Sequence, residues 1–280
     1  MVTDLLKEFI RKSIEEDLGD GDHSSLACIP PGTNGKAKLL IKDDGILAGV
    51  RVASEVFNVI DKDLKCEIRI NDGEEIHRGD IAFRLTGSQQ SILKSERLVL
   101  NIMQRMSSIA TSTNRYVSLV AGTKARILDT RKTTPGLRFL EKEAVRIGGG
   151  MNHRMGLFDM IMLKDNHIIY AGGIEKAIKK TLEYLKKTGR DLKIEIEARS
   201  LDDVKRILAT GGVHRIMLDN FKVSDTSAAV RMIAGRYETE SSGGITLETV
   251  RSYAECGVDF ISVGALTHHI RSLDMSLEAL

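Results

Sequence analysis

Residues 129–167 read DTRKTTPGLRFLEKEAVRIGGGMNHRMGLFDMIMLKDNH, a stretch that combines positive charge, glycine and a short apolar run. Three consecutive glycines stand in its middle, and its fixed cations are Arg131, Lys132, Arg138, Lys142, Arg146, Arg154 and Lys164. Cations beside backbone that can approach a ligand closely suit a polyanion, usually a phosphate or a carboxylate. A solvated loop followed by a charged helix would have the same composition, so the position of these residues in the fold has to decide.

Both ends of this stretch contain short apolar segments, and the same pattern repeats to the end of the chain. The segments are ARILDT (125–130), DMIMLK (159–164), KIEIEA (193–198), RIMLDN (215–220), YETESSGG (237–244) and DFISVGA (259–265). The stretches that separate them predict helices over 173–188, 201–210, 223–235 and 246–257. Strand ends recur roughly every 22 to 34 residues, which is the length of a βα unit. Repeated βα units predict a parallel sheet, either open or closed into a barrel.

The end of each predicted strand carries a strongly polar residue or a glycine. In chain order these are Arg131 with Lys132, Lys164, Glu197, Asp219, Ser242 with Gly243, and Gly264. Any one of them could be a surface residue placed there by chance. Chance is a poor explanation for such a residue at the same position of all six predicted strands. A βα barrel gathers such positions at one face, whereas a doubly wound open sheet would not bring all six together. We therefore predict an α/β protein with a C-terminal parallel α/β barrel.

The first part of the chain has a different pattern of apolar residues and turns. Apolar residues at helical spacing predict an opening helix over 5–18, and DGDHSS (20–25) after it reads as a loop. Short alternating runs separated by Asp-Gly turns then predict a small α+β sandwich domain that includes a helix over 51–60. A long helix is predicted from residue 91 to about residue 122.

These patterns give the domain bounds. The N-terminal sandwich domain is assigned to 1–112 and the barrel to 113–268, and the tail, 269–280, could pack back on the first domain. No low-complexity linker separates the two domains.

Composition excludes several classes of protein. A net charge of +2, 4% aromatic residues and the absence of Trp do not fit a nucleic-acid binder. Cys28, Cys66 and Cys256 are odd in number and far apart, which fits a reducing compartment. The acidic N-terminus does not resemble a signal peptide, and no apolar run is long enough to span a bilayer. We expect a cytoplasmic protein with neither a nucleic-acid nor a membrane partner.

Three kinds of group are predicted to converge at the barrel face. The first is cationic, with Arg131, Lys132, Arg154 and Lys164 beside His153, and arginine pairs suit planar carboxylates. The second is acidic: Glu197 and Asp219 could bind sugar hydroxyls, hold Mg²⁺ through water or do acid–base work, or they could merely neutralise the cations. The third is a pair of glycine turns, 241–244 and 263–268, on late strands, where barrels often bind phosphate. Together they predict a phosphorylated sugar with further anionic charge and a carboxylated partner.

Several motifs resemble those of the quinolinate phosphoribosyltransferase family. They are EEDLGDGDHSS (15–25), SERLVLN (95–101), TRKTTPG (130–136), GGGMNHRMGL (148–157), LKDNH (163–167), ESSGG (240–244) and VGALTH (263–268). The similarity covers nearly the whole chain. It implies a transferase of NAD biosynthesis that joins quinolinate to 5-phosphoribosyl-1-diphosphate, releases diphosphate and CO₂, and forms nicotinate mononucleotide with the help of Mg²⁺.

The resemblance also implies a role for each matching residue. Arg97 from a partner subunit, Arg131 and Arg154 would hold the dicarboxylate with His153 beside them, and Thr130 belongs to the same motif. Lys132 and Lys164 would neutralise the diphosphate. Glu197 and Asp219 would meet the ribose hydroxyls and, through water, Mg²⁺. The 5-phosphate cup would be built from Ser242, Gly243, Gly244, Gly264, Ala265 and Leu266, with His268 nearby. Of these residues, Lys132, Glu197 and Asp219 would be the catalytic ones.

A homodimer is implied, with hexamers of dimers known in the family. Other interpretations stay open at this point: a sister phosphoribosyltransferase acting on another carboxylated heterocycle, a barrel lyase or isomerase acting on a phosphosugar, and a ligand sensor without turnover.

Overall fold

The computed structural model describes residues 2–280, with side chains from Asp4 onward, so Met1 of the first predicted domain lies outside the described residues. The chain divides into two compact units. One holds the residues up to Ser112 together with Ile270–Leu280, and the other holds Thr113–His269. Within residues 2–280 no helix has the combination of length and apolarity that a membrane span requires.

The first unit packs helices on an antiparallel sheet. Its elements are α1 (Val2–Leu18), α2 (His23–Cys28), β1 (Asn34–Ile41), β2 (Gly45–Ile46), α3 (Val50–Ile60), β3 (Lys65–Ile68), β4 (Glu75–Ile76), β5 (Ile81–Ser88), the start of α4 (Gln89–Leu119), and β12 (Met275–Ala279). Four strands form the main sheet in the order β12-β1-β5-β3, and β2 pairs with β4. Phe57 of α3 meets Phe83 of β5 edge-on, with ring centroids 5.5 Å apart, in the core between helix and sheet. The N-terminal α+β sandwich is therefore as predicted.

One local prediction in this unit is wrong. Residues 20–25 were expected to form a loop, but α2 begins at His23. Asp22 starts the helix early, because its carboxylate accepts the backbone N–H of Ser25 at 3.1 Å and so caps the first turn.

The second unit contains the repeated βα elements. They are β6 (Arg126–Leu128), α5 (Arg138–Ile147), β7 (Ile161–Leu163), α6 (Asp165–Ala171), α7 (Ile174–Thr188), β8 (Ile194–Ala198), α8 (Leu201–Thr210), β9 (Arg215–Asp219), α9 (Val223–Ile233), β10 (Glu238–Ser242), α10 (Val250–Glu255), β11 (Phe260–Ser262) and α11 (Ala265–His268). All ladders in the sheet are parallel. The predicted strands and the four predicted helices are present, while α5 and α6 were not predicted as separate helices.

The strand order shows that this sheet curls into a barrel. The order is β6-β11-β10-β9-β8-β7, so five strands are neighbours in chain order and the first strand then joins the last. That order is the one expected of a parallel barrel, in which the first and last strands are neighbours. Beyond β6, Met151 adds a parallel bridge to Leu128 on the side that faces away from β11. The predicted C-terminal α/β barrel is confirmed.

The pleat of the strands sets which side chains face the interior. Residues two apart lie on one face, about 6.6 Å from each other along the strand. On β8 this places Glu195 one pleat below Glu197, and on β10 it places Glu240 below Ser242. The ladder pairs Glu195 with Arg215 of β9. Each of these strands therefore carries one buried polar side chain deep in the barrel and another at its carboxyl end.

Candidate active site

A cleft of about 840 Å³ opens at the carboxyl ends of the barrel strands. Most of the residues predicted for the site line it: Thr130, Arg131, Lys132, His153, Arg154, Lys164, Glu197, Asp219, Ser242, Gly243, Gly244, Gly264, Ala265 and His268. Leu266 and Arg97 are not among its lining residues. Leu266 is fully buried, and Arg97 is an exposed residue of α4 in the first unit.

A buried ion pair builds the wall that carries His153 and Arg154. Asp129 and Lys142 are both fully buried and directly paired. Asp129 also accepts the side-chain amide of Asn152 at 2.5 Å and the backbone N–H of His153 at 2.8 Å, while Lys142 donates to the His153 carbonyl at 3.0 Å. A buried charge is tolerated only when it is paired and hydrogen-bonded in this way. The network therefore fixes the backbone that enters the cleft.

Two arginines supply the planar cations. Arg154 donates to the carbonyl of Met160 at 3.1 Å, which ties the side chain to the residue just before β7. Burial and the nearby charge of Arg131 lower the pKa of Arg154. The Nε–H of Arg131 is buried and meets no acceptor among residues 2–280. A buried donor without a partner is costly, so this group is suited to an anionic ligand in the cleft.

Lys164 and Glu197 form the next part of the rim. Their charged atoms are 3.3 Å apart, with Lys164 about half exposed and Glu197 almost buried. Glu197 also accepts the backbone N–H of Asp165 at 2.8 Å, at the start of α6. Part of the charge of Glu197 is thus neutralised by the protein, as one of the alternatives held, while the Lys164 ammonium still faces solvent. Asp219, one strand further on, accepts the side-chain amide of Asn220 at 2.7 Å.

Glycine turns close the opposite side of the cleft. Gly243 and Gly244 have φ values of +95° and +61°, which disfavour any residue with a side chain. The turn at Gly264 is held against the loop that follows the first barrel strand, because Thr267 Oγ1 donates to the Lys132 carbonyl at 2.8 Å. Burial, with the charges of His269 and Lys132, lowers the pKa of His268. Backbone exposed at two such turns suits a phosphate group.

Beneath the cleft lies a buried cluster of His153, Glu195, Glu240 and Arg215. Nε2 of His153 is 2.9 Å from Glu195 and 3.3 Å from Glu240, and Arg215 donates to Glu240 at 3.0 Å. Neither histidine contact is aligned as a hydrogen bond, so both oxygens of Glu195 keep no such partner within the described chain. Burial and the charge of Glu240 raise the pKa of Glu195 to about 7. Burial disfavours a charged His153 ring, but the two carboxylates outweigh it and raise the pKa of the ring.

The tautomer of His153 decides what this cluster can hold. The backbone N–H of Arg154 donates to Nδ1 at 2.7 Å, so Nδ1 carries no hydrogen and the ring hydrogen lies on Nε2. A hydrogen on Nδ1 would meet that N–H, so this contact opposes the charged form of the ring that the two carboxylates favour. Ligand atoms of the two glutamates and His153 lie within 4.8 Å of one another, yet the Nε2 hydrogen and Arg215 make the group unsuited to a metal ion.

Sequence reasoning missed several residues of this region. Glu195, Arg215 and Glu240 stand inside predicted strands, and the alternation in KIEIEA would have placed Glu195 on the same face as Glu197. The glycines of the opening stretch were interpreted wrongly. Gly148 ends α5, and a side chain at Gly150 would lie 2.7 Å from Thr113, so Gly150 allows close packing. None of the three glycines lines the cleft.

Fold and cleft together define a class: α/β-barrel enzymes that handle a phosphorylated, multiply anionic substrate at the carboxyl ends of their strands. Two family models narrow this class. The N-terminal domain of quinolinate phosphoribosyl transferase matches residues 22–107, and its C-terminal domain matches residues 109–278. The chain belongs to the quinolinate phosphoribosyltransferase family, which confirms the resemblance of its motifs.

Similar proteins support this assignment along the whole chain. The carboxylating, chloroplastic nicotinate-nucleotide pyrophosphorylase of Arabidopsis thaliana is 46% identical over 98% of this chain and 82% of its own length. The probable carboxylating nicotinate-nucleotide pyrophosphorylase of Bacillus subtilis is 39% identical over 98% of this chain and 93% of its own. The solved nicotinate-nucleotide pyrophosphorylase of Francisella tularensis has a TM-score of 0.92 and 38% identity, and covers 99% of this chain and 96% of that one.

Proposed function

We propose that this chain transfers the phosphoribosyl group of 5-phosphoribosyl-1-diphosphate to quinolinate, with release of CO₂ and diphosphate, and forms nicotinate mononucleotide. The observation that carries this is the convergence of two arginines, two lysines, two carboxylates and two glycine turns in one cleft. These groups match a dicarboxylate, a diphosphate, a ribose and a phosphate, in that order. Homologues with this activity in their names, along nearly the whole chain, support the same reaction.

One assay separates this function from its rivals. Diphosphate and CO₂ release is measured with quinolinate present, with nicotinate in its place, and with no pyridine substrate. Release of both products only with quinolinate is the expected result. Diphosphate release with a different heterocycle would indicate the sister phosphoribosyltransferase, and ligand binding without turnover would indicate a sensor.

The dicarboxylate side of the cleft is assigned to Arg131, Arg154 and His153. Guanidinium groups can pair both oxygens of a carboxylate, and Arg131 has a buried donor ready for an anion. Both nitrogens of His153 face protein groups, so the ring borders the substrate without donating from Nδ1. Thr130 completes this wall and supports Lys132, because its hydroxyl accepts the Lys132 N–H at 3.0 Å.

The phosphoribosyl side is assigned to the lysines, the two carboxylates and the glycine turns. Glu197 and Asp219 are the candidates for holding Mg²⁺, because both residues line the cleft and Mg²⁺ prefers oxygen ligands with several waters retained. Neither joins a cluster of three ligating side chains within residues 2–280, so they would hold the ion through water and with the substrate's own diphosphate. Bound there, Mg²⁺ would supply positive charge to the leaving diphosphate.

The proposed mechanism is electrostatic. Lys132 and Lys164 stabilise the negative charge that develops on the leaving diphosphate, and Glu197 with Asp219 favours the cationic ribose. The pyridine nitrogen attacks the anomeric carbon from a fixed position, and such orientation is worth several kcal/mol. Quaternising that nitrogen allows the neighbouring carboxylate to leave as CO₂, because the remaining electron pair lies next to a positive charge. The ring carbon that lost CO₂ then takes up one proton through this electron pair, which gives nicotinate mononucleotide.

Arg131→Ala is expected to weaken quinolinate binding far more than binding of the phosphoribosyl substrate. Loss of a charged hydrogen bond costs about 1.5–3 kcal/mol, or roughly a factor of 10 to 150 in the dissociation constant. Titration calorimetry with each substrate measures the two effects. Arg126→Ala is the matched control, since Arg126 begins the barrel strand that precedes Arg131 and does not line the cleft. Equal weakening of both substrates would contradict the assignment.

The active form is proposed to be a homodimer, with a hexamer of such dimers as the alternative assembly, in which Arg97 completes the partner's site. The barrel unit supports a partner interface, because Leu157, Phe158, Ile169 and Tyr170 are 65–87% exposed. Large apolar side chains exposed to this extent in two neighbouring segments mark an interaction surface. Arg97 is itself exposed and free to meet another chain. A cytoplasmic location stays a prediction, since plant relatives are named as chloroplastic or mitochondrial.

Mixing two inactive variants tests the shared site. Arg97→Ala chains and Lys132→Met chains are co-expressed, and each is expected to be nearly inactive alone. In a random mixture half of the dimers pair one chain of each kind, and one of their two sites has every residue intact. Activity should therefore return to about a quarter of the sites. An absence of complementation in verified mixed dimers would contradict a site shared between subunits.

A further inference from the structure

Asn220 lines the cleft directly after β9, and its backbone lies in the left-handed region with φ of +57°. Apart from glycine, only Ala234 shares this property among the described residues. Non-glycine residues rarely adopt such a conformation, although asparagine tolerates it better than most. Strain of this kind persists where the surrounding structure imposes it, and often at functional sites.

Two hydrogen bonds explain why the conformation is held. The backbone N–H of Asn220 donates to the carbonyl of Ser242 at 2.8 Å, so the β9–β10 ladder continues past the end of β9. Its side-chain amide donates to Asp219 Oδ2 at 2.7 Å. The opposite orientation of the amide would direct its oxygen at a carboxylate, so the partner fixes which end of the group faces Asp219.

The amide oxygen of Asn220 points the other way, over Gly243. A side chain at Gly243 would collide with this oxygen, and its Cβ would come within 2.9 Å of the Asn220 backbone nitrogen. One residue thus touches both the carboxylate at the end of β9 and the glycine turn at the end of β10. The conformation of the turn and the direction of the carboxylate are coupled through it.

We propose that Asn220 is a positioning residue that locks the Asp219 carboxylate to the phosphate cup, so that recognition of the phosphoribosyl substrate depends on it and recognition of the dicarboxylate does not. This rests on the proposed function for the roles of Asp219 and Gly243. Asn220 acts through these two residues, by holding their geometry. A left-handed asparagine supplies at once the donor for Asp219 and the oxygen that packs against the turn, which glycine at the same position could not.

Two substitutions separate positioning from a structural role. Asn220→Asp keeps the shape but replaces the donor by an acceptor facing Asp219. Asn220→Gly removes the side chain and relieves the backbone. Each should raise KM for 5-phosphoribosyl-1-diphosphate or lower kcat by about tenfold, the scale of one lost hydrogen bond to a charged group. KM for quinolinate should stay within about twofold, and the thermal midpoint of Asn220→Gly should be unchanged or higher.

Ala234→Gly is the matched control. Ala234 has φ of +50° at the end of α9, is exposed and does not line the cleft. Its replacement relieves the same kind of backbone strain and should leave both KM values and kcat unchanged. A loss of activity in Asn220→Gly but not in Ala234→Gly assigns the effect to the side chain of Asn220.

A double-mutant cycle with Gly243→Ala completes the test. Gly243→Ala alone should lower both the thermal midpoint and kcat/KM for the phosphoribosyl substrate, because its Cβ meets Asn220. In the Asn220→Gly background the fall in kcat/KM should be at least about threefold smaller, although the strain at φ of +95° and the close contact with the backbone nitrogen of residue 220 remain. Equal costs in both backgrounds, or wild-type kinetics in Asn220→Gly and Asn220→Asp, would overturn the proposal.

The thermal part of the cycle is measured without substrate. If the wild-type chain released no diphosphate with quinolinate, the proposed function would fail. The thermal midpoints of the two single variants and the double variant would still show, by not being additive, whether Asn220 holds the turn. Additive midpoints in an enzyme with the expected activity would instead reject the positioning role alone.

Discussion

Replacing Asp129 by alanine is expected to lower the free energy of unfolding by about 3–5 kcal/mol, because it leaves the buried Lys142 ammonium without its counter-charge. Asp129 and Lys142 are fully buried, and Asp129 also holds Asn152 and the backbone of His153. The change is measured by urea unfolding, as a shift in the urea concentration at the midpoint of the transition. The slope of the unfolding free energy against urea concentration should stay constant. Activity should fall as well, since the wall of the cleft that carries His153 and Arg154 loses its anchor.

A control on α5, the helix that carries Lys142, isolates the effect of burial on an ion pair. Glu143 pairs with Arg146 at 3.1 Å on the exposed face of α5, so Glu143→Ala should change stability by no more than about 0.5 kcal/mol. The double variant Asp129→Leu with Lys142→Met should cost less than Asp129→Ala alone, because it leaves no charge unpaired. A loss below about 1 kcal/mol for Asp129→Ala would show that Lys142 finds another partner or loses its proton.

The convergence of the strand-end residues in one cleft could be predicted because it depends on two local properties of the sequence. The strand period and the βα spacing fix where strands end, and the first polar residue after each end must lie at the carboxyl face of a barrel. Lys164, Glu197, Asp219 and Gly243 were placed together for this reason, and all four line the cleft. Neither property depends on contacts between residues distant in sequence.

Burial of charge could not be predicted in the same way. Lys142 counts as one cation among seven in the opening stretch, and only the three-dimensional structure shows that it is paired with Asp129 inside the protein. Gly148 to Gly150 suggested a ligand contact, but tertiary packing at Thr113 and Val145 explains Gly150. Arg97 is a surface residue of a helix, and its assignment needs a second chain. Asn220 follows a predicted strand, yet its importance depends on a left-handed φ that the sequence RIMLDN does not reveal.

Lys132→Met is expected to lower kcat by about 10² to 10³, the scale of removing one preorganised electrostatic contact to a developing charge. Lys132 lines the cleft, and its backbone is held independently of its ammonium group, by Thr130 at the N–H and by Thr267 at the carbonyl. The substitution therefore removes charge without loosening the turn at Gly264, and the thermal midpoint should stay near that of the wild type. Lys205→Met, on the exposed face of α8, is the control for the loss of a lysine as such.

The division of the effect between kcat and KM decides the role of Lys132. A group that meets diphosphate equally in the bound substrate and in the transition state would raise KM and leave kcat unchanged. A group that acts on the leaving diphosphate lowers kcat and kcat/KM together, and this is the expected pattern. KM for quinolinate should change little in either case, because the dicarboxylate is assigned to Arg131 and Arg154. A large rise in KM for the phosphoribosyl substrate with kcat intact would make Lys132 a binding residue, and Lys164 would then be the remaining candidate for stabilising the departing group.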